Sequence, residues 1–122
     1  MLNSMGKKFS ILSFKYAYEG LIAALKEEPN LKFHLLAGIL VIILSFILKI
    51  SKQDFLIIIL VIGFVITVEL TNTALESVVD HFVSKEHPGA KLAKDISAGA
   101  VLVAAVTSAI IGIIIFLPYI HG

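Results

Sequence analysis

With 122 residues, 58% of them hydrophobic, and a mean hydropathy of +0.99, the chain carries more apolar surface than a soluble domain of its size can bury. Its net charge of +1 argues against a nucleic-acid-binding protein, and the absence of cysteine excludes disulfides and thiolate metal sites. We therefore expect an all-α integral membrane protein with a single domain over residues 1–122.

The N-terminal segment has the pattern of an amphipathic helix over about residues 8–28. Apolar residues from Phe14 onward recur at helical spacing, and charged residues lie between them. Such a helix is expected to lie on the membrane surface. Proline disfavours helix at the residue before it, so Pro29 predicts a bend here, and Asn30 is a candidate cap for the helix that follows.

Three apolar stretches follow, and they predict transmembrane helices over about residues 31–49, 54–80 and 94–119. A spanning helix needs about 20 mostly apolar residues. Runs of Ile, Leu and Val also suit buried strands, but an open strand cannot satisfy its backbone hydrogen bonds in lipid. The fold class is therefore three transmembrane helices preceded by an N-terminal amphipathic surface helix.

The distribution of lysine predicts the orientation of these helices. All basic residues are lysine; five precede the first span, three lie between the second and third spans, and only Lys49 and Lys52 lie in the remaining loop. Lysine-rich loops stay in the cytoplasm. The N-terminus and the 80–95 loop are therefore expected to be cytoplasmic, and the C-terminus is expected to face out.

The second predicted span ends in a polar stripe formed by Glu69, Asn72, Thr73, Glu76 and Asp80. At about 100° per residue, these five positions lie within roughly 60° of one line on a helix. Glu69 falls about 21 Å along the span, inside the hydrocarbon core. Glu76 falls about 32 Å along the span, at the cytoplasmic boundary of that core. Acidic side chains are costly at that depth, and those found there are usually functional.

Two explanations of the stripe are open. Asn72 and Thr73 alone are able to hold neighbouring helices together by hydrogen bonds, without any chemical function. Three acids on one face repel each other unless cations intervene. Lys94, at the start of the third span, is one such cation. The other is Mg²⁺, which is typically held by one or two carboxylates and substrate phosphates, here Glu76 and the acid at the bend, Glu28.

The residues that form the stripe resemble the signature of the prokaryotic diacylglycerol kinase family. The resemblance extends over nearly the whole chain and is carried by Glu69-Leu70-Thr71-Asn72-Thr73-Ala74-Leu75-Glu76-Ser77-Val78-Val79-Asp80, Ala93-Lys94-Asp95, Ala98-Gly99-Ala100-Val101, Phe14-Lys15-Tyr16-Ala17, Gly20 and Glu28-Pro29-Asn30. His34 and the run from His87 to Asp95 are similar to the Gram-positive branch, whose members typically phosphorylate undecaprenol.

The resemblance implies an ATP- and Mg²⁺-dependent lipid kinase of the bacterial cell membrane, with undecaprenol as substrate and diacylglycerol as the alternative. It also implies a homotrimer whose neighbouring chains complete each active site. By position, Glu69 is expected to be the general base, Glu28 and Glu76 to hold Mg²⁺, and Asn72 and Asp80 to orient the site. Residues expected to contact the nucleotide are Tyr16, Glu86, His87, Lys94 and Asp95, and Lys94 is also expected to offset the charge that develops during transfer.

Two other classes of protein remain alternatives. An ion- or proton-conducting protein would use Glu69 as an intramembrane carrier. Against this, the acids cluster toward one side of the membrane, and the other half of the second span is wholly apolar. A structural subunit without chemistry would not require the acidic stripe. Small residues on the third span agree with an oligomer but do not fix its number.

Overall fold

In a computed structural model of the chain, the backbone is described for residues 2–84 and 86–121, with side chains from residue 10 onward in these ranges. The described residues form four helices and no strand: α1 (Leu2–Glu27), α2 (Pro29–Leu48), α3 (Lys52–Phe82) and α4 (Pro88–His121). The predicted all-α class, with one helix before three longer apolar ones, is confirmed. The side chains of Lys7 and Lys8, and all of Lys85, which contribute to the predicted orientation, lie outside the described residues.

The break between α1 and α2 falls at Glu28, whose backbone is extended with φ −111° and ψ 104°. The Glu28 amide closes α1 by donating to the carbonyl of Ala24 at 2.9 Å, and Pro29 then begins α2. The expected cap at Asn30 was wrong, because α2 begins one residue earlier. Proline suits the first helical position, where its fixed φ is helical and no backbone N–H is needed.

A tight connection over residues 49–51 joins α2 to α3. Lys49 adopts the left-handed conformation with φ 53°, and the Ile50 amide donates to the carbonyl of Ser45 at 3.3 Å, which ends α2. The Ser51 hydroxyl then accepts from the Asp54 amide at 3.1 Å and caps α3. Such a short connection makes α2 and α3 antiparallel neighbours.

The third helix is the centre of the packing, since α3 contacts α2, α4 and α1. Buried positions on α2 recur every seven residues at Leu31, Gly38 and Ser45, which is the spacing of helices that pack nearly antiparallel. Gly38 permits the closest approach, because a Cβ added there would lie 2.9 Å from Cγ2 of Ile62 on α3. Any larger residue at this position would make the Ile62 side chain or the two helices shift, so the α2–α3 interface favours glycine here.

Most apolar side chains face outward. Leu60 is 73% exposed and Ile114 is 66% exposed, whereas only a few side chains, among them Ile58 at 2%, are buried within one chain. Three helices, α2, α3 and α4, are long and apolar enough to cross a membrane. Outward-facing apolar helices need lipid or another apolar surface around them, so the chain is a multi-pass membrane protein.

Candidate active site

The deepest member of the polar stripe is Glu69, which is 3% exposed on α3. Its Oε1 atom lies 3.3 Å from Nε2 of His34 on α2, and the two side chains are 4% and 21% exposed. The stripe alone did not predict this contact, because His34 and Glu69 are more than thirty residues apart in sequence and lie on different helices. One signal was present in the sequence: a histidine within an otherwise apolar stretch.

One turn along α3, Asn72 and Glu76 form a second pair. The Asn72 Nδ2 group donates to Glu76 Oε1 at 3.2 Å, an i,i+4 contact on the predicted stripe. The Thr73 hydroxyl donates to the backbone carbonyl of Glu69 at 3.0 Å and so faces back along the same helix. Asn72 Oδ1 is the only buried side-chain oxygen or nitrogen in the described residues without a hydrogen-bond partner.

At the far end of the stripe, Asp80 reaches α4. Lys94 Nζ donates to Asp80 Oδ1 at 2.8 Å, which links the two helices beside the loop that joins them. On α4 itself, Lys91 pairs with Asp95 at 2.6 Å. A cavity of about 280 Å³ lies between the helices, and the four charged residues line it together with Ser84 and apolar neighbours. The structure thus brings three predicted site residues, Asp80, Lys94 and Asp95, to one cavity.

The remaining residues expected at the nucleotide are exposed. Tyr16 lies on α1 with 62% of its surface accessible, and Glu86 is in the α3–α4 loop. His87 caps α4, since its Nδ1 accepts from the amides of Gly89 at 3.1 Å and Ala90 at 3.2 Å. Two amide donors on Nδ1 leave the proton of a neutral ring on Nε2, which stays available to a ligand. This capping role was not predicted.

The residues of the stripe fit a magnesium ion, although they do not enclose one. In the part of the chain that the structure describes, no group of three or more His, Cys, Asp and Glu side chains is arranged to hold a metal. Mg²⁺ is commonly held by only one or two carboxylates, with phosphates and water completing its shell. The Glu76 carboxylate and the unpaired Asn72 Oδ1 are oxygen ligands of the preferred kind, one turn apart.

An apolar groove of about 530 Å³ begins at His34 and extends away from the acidic residues, between α2 and α4. Its floor is α3, including Ile58, Ile62 and Val65, and small residues of α4 such as Gly112 keep it open. His34 is therefore shared by two surfaces, since its ring lines the groove while its Nε2 atom contacts Glu69. A long apolar chain in the groove would end beside a buried carboxylate.

Taken together, the fold and the site define a small polytopic membrane protein with an acidic cluster where its spanning helices meet a charged, polar end. The family pattern described as prokaryotic diacylglycerol kinase matches residues 15–116. The chain belongs to this family, and it is a lipid kinase. Membership also decides against the ion-conducting and purely structural alternatives.

Three relatives show the breadth of the similarity. Undecaprenol kinase of Bacillus subtilis is 46% identical over 106 residues, which cover 87% of this chain and 86% of the relative. Diacylglycerol kinase of Synechocystis is 39% identical over 109 residues, 88% of this chain and 62% of the relative. Diacylglycerol kinase of Escherichia coli K12 is 30% identical over 108 residues, 88% of each. The similarity thus extends to kinases named for two different lipid alcohols.

Proposed function

We propose that the protein uses ATP and Mg²⁺ to phosphorylate undecaprenol, with Glu69 as the general base. The observation that carries this proposal is a carboxylate that is 3% exposed, lies where an apolar groove meets a polar stripe, and is within 3.3 Å of a histidine. A base for a membrane alcohol must be reachable from lipid, yet close to the charged groups that bind a soluble nucleotide. Identity of 46% to an undecaprenol kinase supports the choice of substrate.

In the proposed reaction, the lipid hydroxyl oxygen attacks the γ-phosphorus of ATP and forms a new P–O bond. The bond from that phosphorus to the bridging oxygen breaks, ADP leaves, and the hydroxyl proton passes to the Glu69 carboxylate. Phosphoryl transfer depends on positioning and electrostatic stabilisation more than on covalent help from the protein. Because Glu69 is shielded from water, few water molecules compete with the substrate hydroxyl for contact with its carboxylate.

Glu76 and Glu28 are the proposed magnesium ligands, and Asn72 orients Glu76 through their hydrogen bond at 3.2 Å. The chemistry that Mg²⁺ supplies when bound is neutralisation of the phosphate charge during transfer. Lys94 and Asp80, paired at 2.8 Å, stand at the cavity between α3 and α4, where the ammonium is near enough to offset charge on a nucleotide. We assign Asp95, Tyr16, Glu86 and His87 to the nucleotide side of the same site.

We also propose the topology and the assembly. The lysines at the acidic end support a cytoplasmic location for this end and for the N-terminus, where ATP is available. The amphipathic α1 is proposed to lie on the inner membrane surface. A homotrimer with composite sites is supported by the outward-facing apolar residues of α2 to α4, which a second copy is able to cover. The second candidate substrate is diacylglycerol, because the other named relatives are diacylglycerol kinases.

The test compares phosphorylation of undecaprenol and diacylglycerol by purified full-length protein in detergent–lipid micelles, with labelled ATP and Mg²⁺. We expect preference for undecaprenol, and loss of at least about 100-fold in rate for Glu69→Gln, which cannot accept the proton. Glu76→Gln should require more Mg²⁺ for the same rate. Preference for diacylglycerol would overturn the substrate assignment, and an active Glu69→Gln variant would overturn the base.

A further inference from the structure

Among the described residues, His34 is the one side chain outside the polar stripe that forms an ion-pair contact with Glu69, the deepest acid of the stripe. Its Nε2 atom lies 3.3 Å from Glu69 Oε1, and the side chain is 21% exposed within a helix that is otherwise apolar for most of its length. A polar ring in a spanning helix is costly unless it is paired, and such residues are usually functional. Nothing in the proposed reaction has so far used this residue.

The contact suits a hydrogen-bond donor better than a second proton acceptor. A carboxylate that is 4% exposed has few water molecules to stabilise its charge. The Nε2 atom, 3.3 Å from Oε1, is close enough to place an imidazole N–H beside one carboxylate oxygen, and in the described residues no hydrogen bond engages Oε2.

Packing near His34 bears on the position of its ring. Phe33 presents its ring to His34 nearly edge-on, with 5.7 Å between ring centroids and an interplanar angle of 79°. One turn further along α2, Gly38 permits the close approach of α2 to Ile62 of α3. The interhelical spacing that brings Nε2 to Glu69 is therefore set by packing at the next turn, on the same face of α2.

We propose that His34 is the positioning residue of the general base: the contact of its Nε2 atom with Glu69 Oε1 holds the carboxylate beside the His34 end of the apolar groove. This inference rests on the proposed role of Glu69 and deepens it. His34 contributes to the rate of transfer because it orients the base, and not because it binds the lipid chain or the nucleotide.

The experiment compares His34→Leu, His34→Gln and a matched control, His81→Leu, in full-length protein with undecaprenol, ATP and Mg²⁺. Leucine removes the donor while remaining apolar, so the span still suits the membrane. Glutamine keeps an N–H donor near the place of Nε2. His81 is an exposed histidine on α3 whose side chain, in the described residues, bonds only to the Ser77 carbonyl. The His81→Leu variant therefore shows whether replacing a histidine away from Glu69 changes the rate.

We expect His34→Leu to lower kcat on the order of 100-fold, the effect of a misplaced catalytic group, with KM for lipid and ATP near the wild-type values. His34→Gln should recover a large part of kcat, and His81→Leu should match the wild type. In a Glu69→Gln background, His34→Leu should cause little further loss, because the two residues act as one unit.

Three results would overturn the inference. The first is an unchanged kcat in His34→Leu, and the second is a change confined to KM for the lipid, which would make His34 a groove residue. The third is failure of glutamine to recover any activity in a variant that melts at the wild-type temperature. If Glu69→Gln is inactive while His34→Leu is fully active, only the role of His34 fails. If Glu69→Gln is active, the proposed base fails and this inference fails with it.

Discussion

Each acid of the polar stripe has a different partner, which explains how three carboxylates share one face of a helix. Glu69 contacts His34 on α2, Glu76 accepts from an amide on its own helix, and Asp80 pairs with Lys94 on α4. Like charges one turn apart repel, and each partner offsets that repulsion at its own level. The partner nearest the loop is the Lys94 ammonium, as expected where the site reaches water.

At the same scale, the contacts of His87 predict its contribution to stability. Its Nδ1 accepts from the Gly89 and Ala90 amides at the start of α4, so it acts as an N-cap. We expect His87→Ala to lower the free energy of unfolding by about 1 kcal/mol, whereas His87→Asn should retain stability, because asparagine is also a good N-cap. Thermal melts of the purified protein in detergent measure both variants. Equal melting temperatures for the alanine and asparagine variants would contradict the capping role.

How much of the site was predictable depends on whether a feature lies within one helix. Asn72 and Glu76 share a face by helical geometry alone, and their hydrogen bond follows from the sequence. The contact of His34 with Glu69 depends on how closely α2 approaches α3, which Gly38 permits and which periodicity does not reveal. The three spanning helices were predictable because their hydropathy identifies them. The predicted cap at Asn30 was wrong because Pro29 occupies the first position of α2, so Asn30 is already inside the helix.

At the scale of helices, the close approach of α2 and α3 predicts a sensitive position. We expect Gly38→Ala to destabilise the protein by about 1–3 kcal/mol, because its Cβ would lie 2.9 Å from Ile62 Cγ2 and force the helices apart. The same displacement should lengthen the His34–Glu69 contact and lower kcat. The matched control is Gly63→Ala on α3, where an added Cβ meets no atom within 4 Å.

Thermal melts and kcat for lipid phosphorylation measure these two glycine variants. A Gly38→Ala variant that is as stable and as active as Gly63→Ala would show that Ile62 moves aside at little cost. In that case the spacing of α2 and α3 would not depend on the glycine. Loss of stability with unchanged kcat would separate the packing of these helices from the position of the base.

At the scale of the whole molecule, the two ends of the bundle are built differently. Away from the acidic end, the Tyr119 hydroxyl donates to Asp54 at 2.6 Å and accepts from the Ser51 amide at 2.9 Å, so the end of α4 is tied to the α2–α3 connection. The acidic end instead carries the cavity, the apolar groove entrance near His34 and an exposed α1. Tyr119 ties α4 to the α2–α3 connection at one end, whereas the contacts between helices at the other end border a cavity and a groove.

A composite site predicts that inactive chains complement each other only in certain pairs. Glu69 and Glu76 lie on one helix, whereas Glu28 lies at the α1–α2 break, and no hydrogen bond or ion pair in the described residues joins its side chain to α3. If a neighbouring chain supplies Glu28, mixing Glu28→Gln chains with Glu69→Gln chains should restore about a quarter of the wild-type rate at equal amounts, since one site in four in a cyclic assembly combines the intact residues.

The control mixes Glu69→Gln with Glu76→Gln after the same exchange of subunits in detergent. These two acids belong to the same α3, so no combination of chains rebuilds a site that needs both, and activity should stay at the level of the separate variants. Phosphorylation of undecaprenol measured after mixing gives the comparison directly. Recovery in neither mixture would place Glu28 in the same chain as Glu69, and the proposed shared site would be wrong. Recovery in both would mean that Glu69 and Glu76 serve different sites, because only then are two chains able to supply them separately.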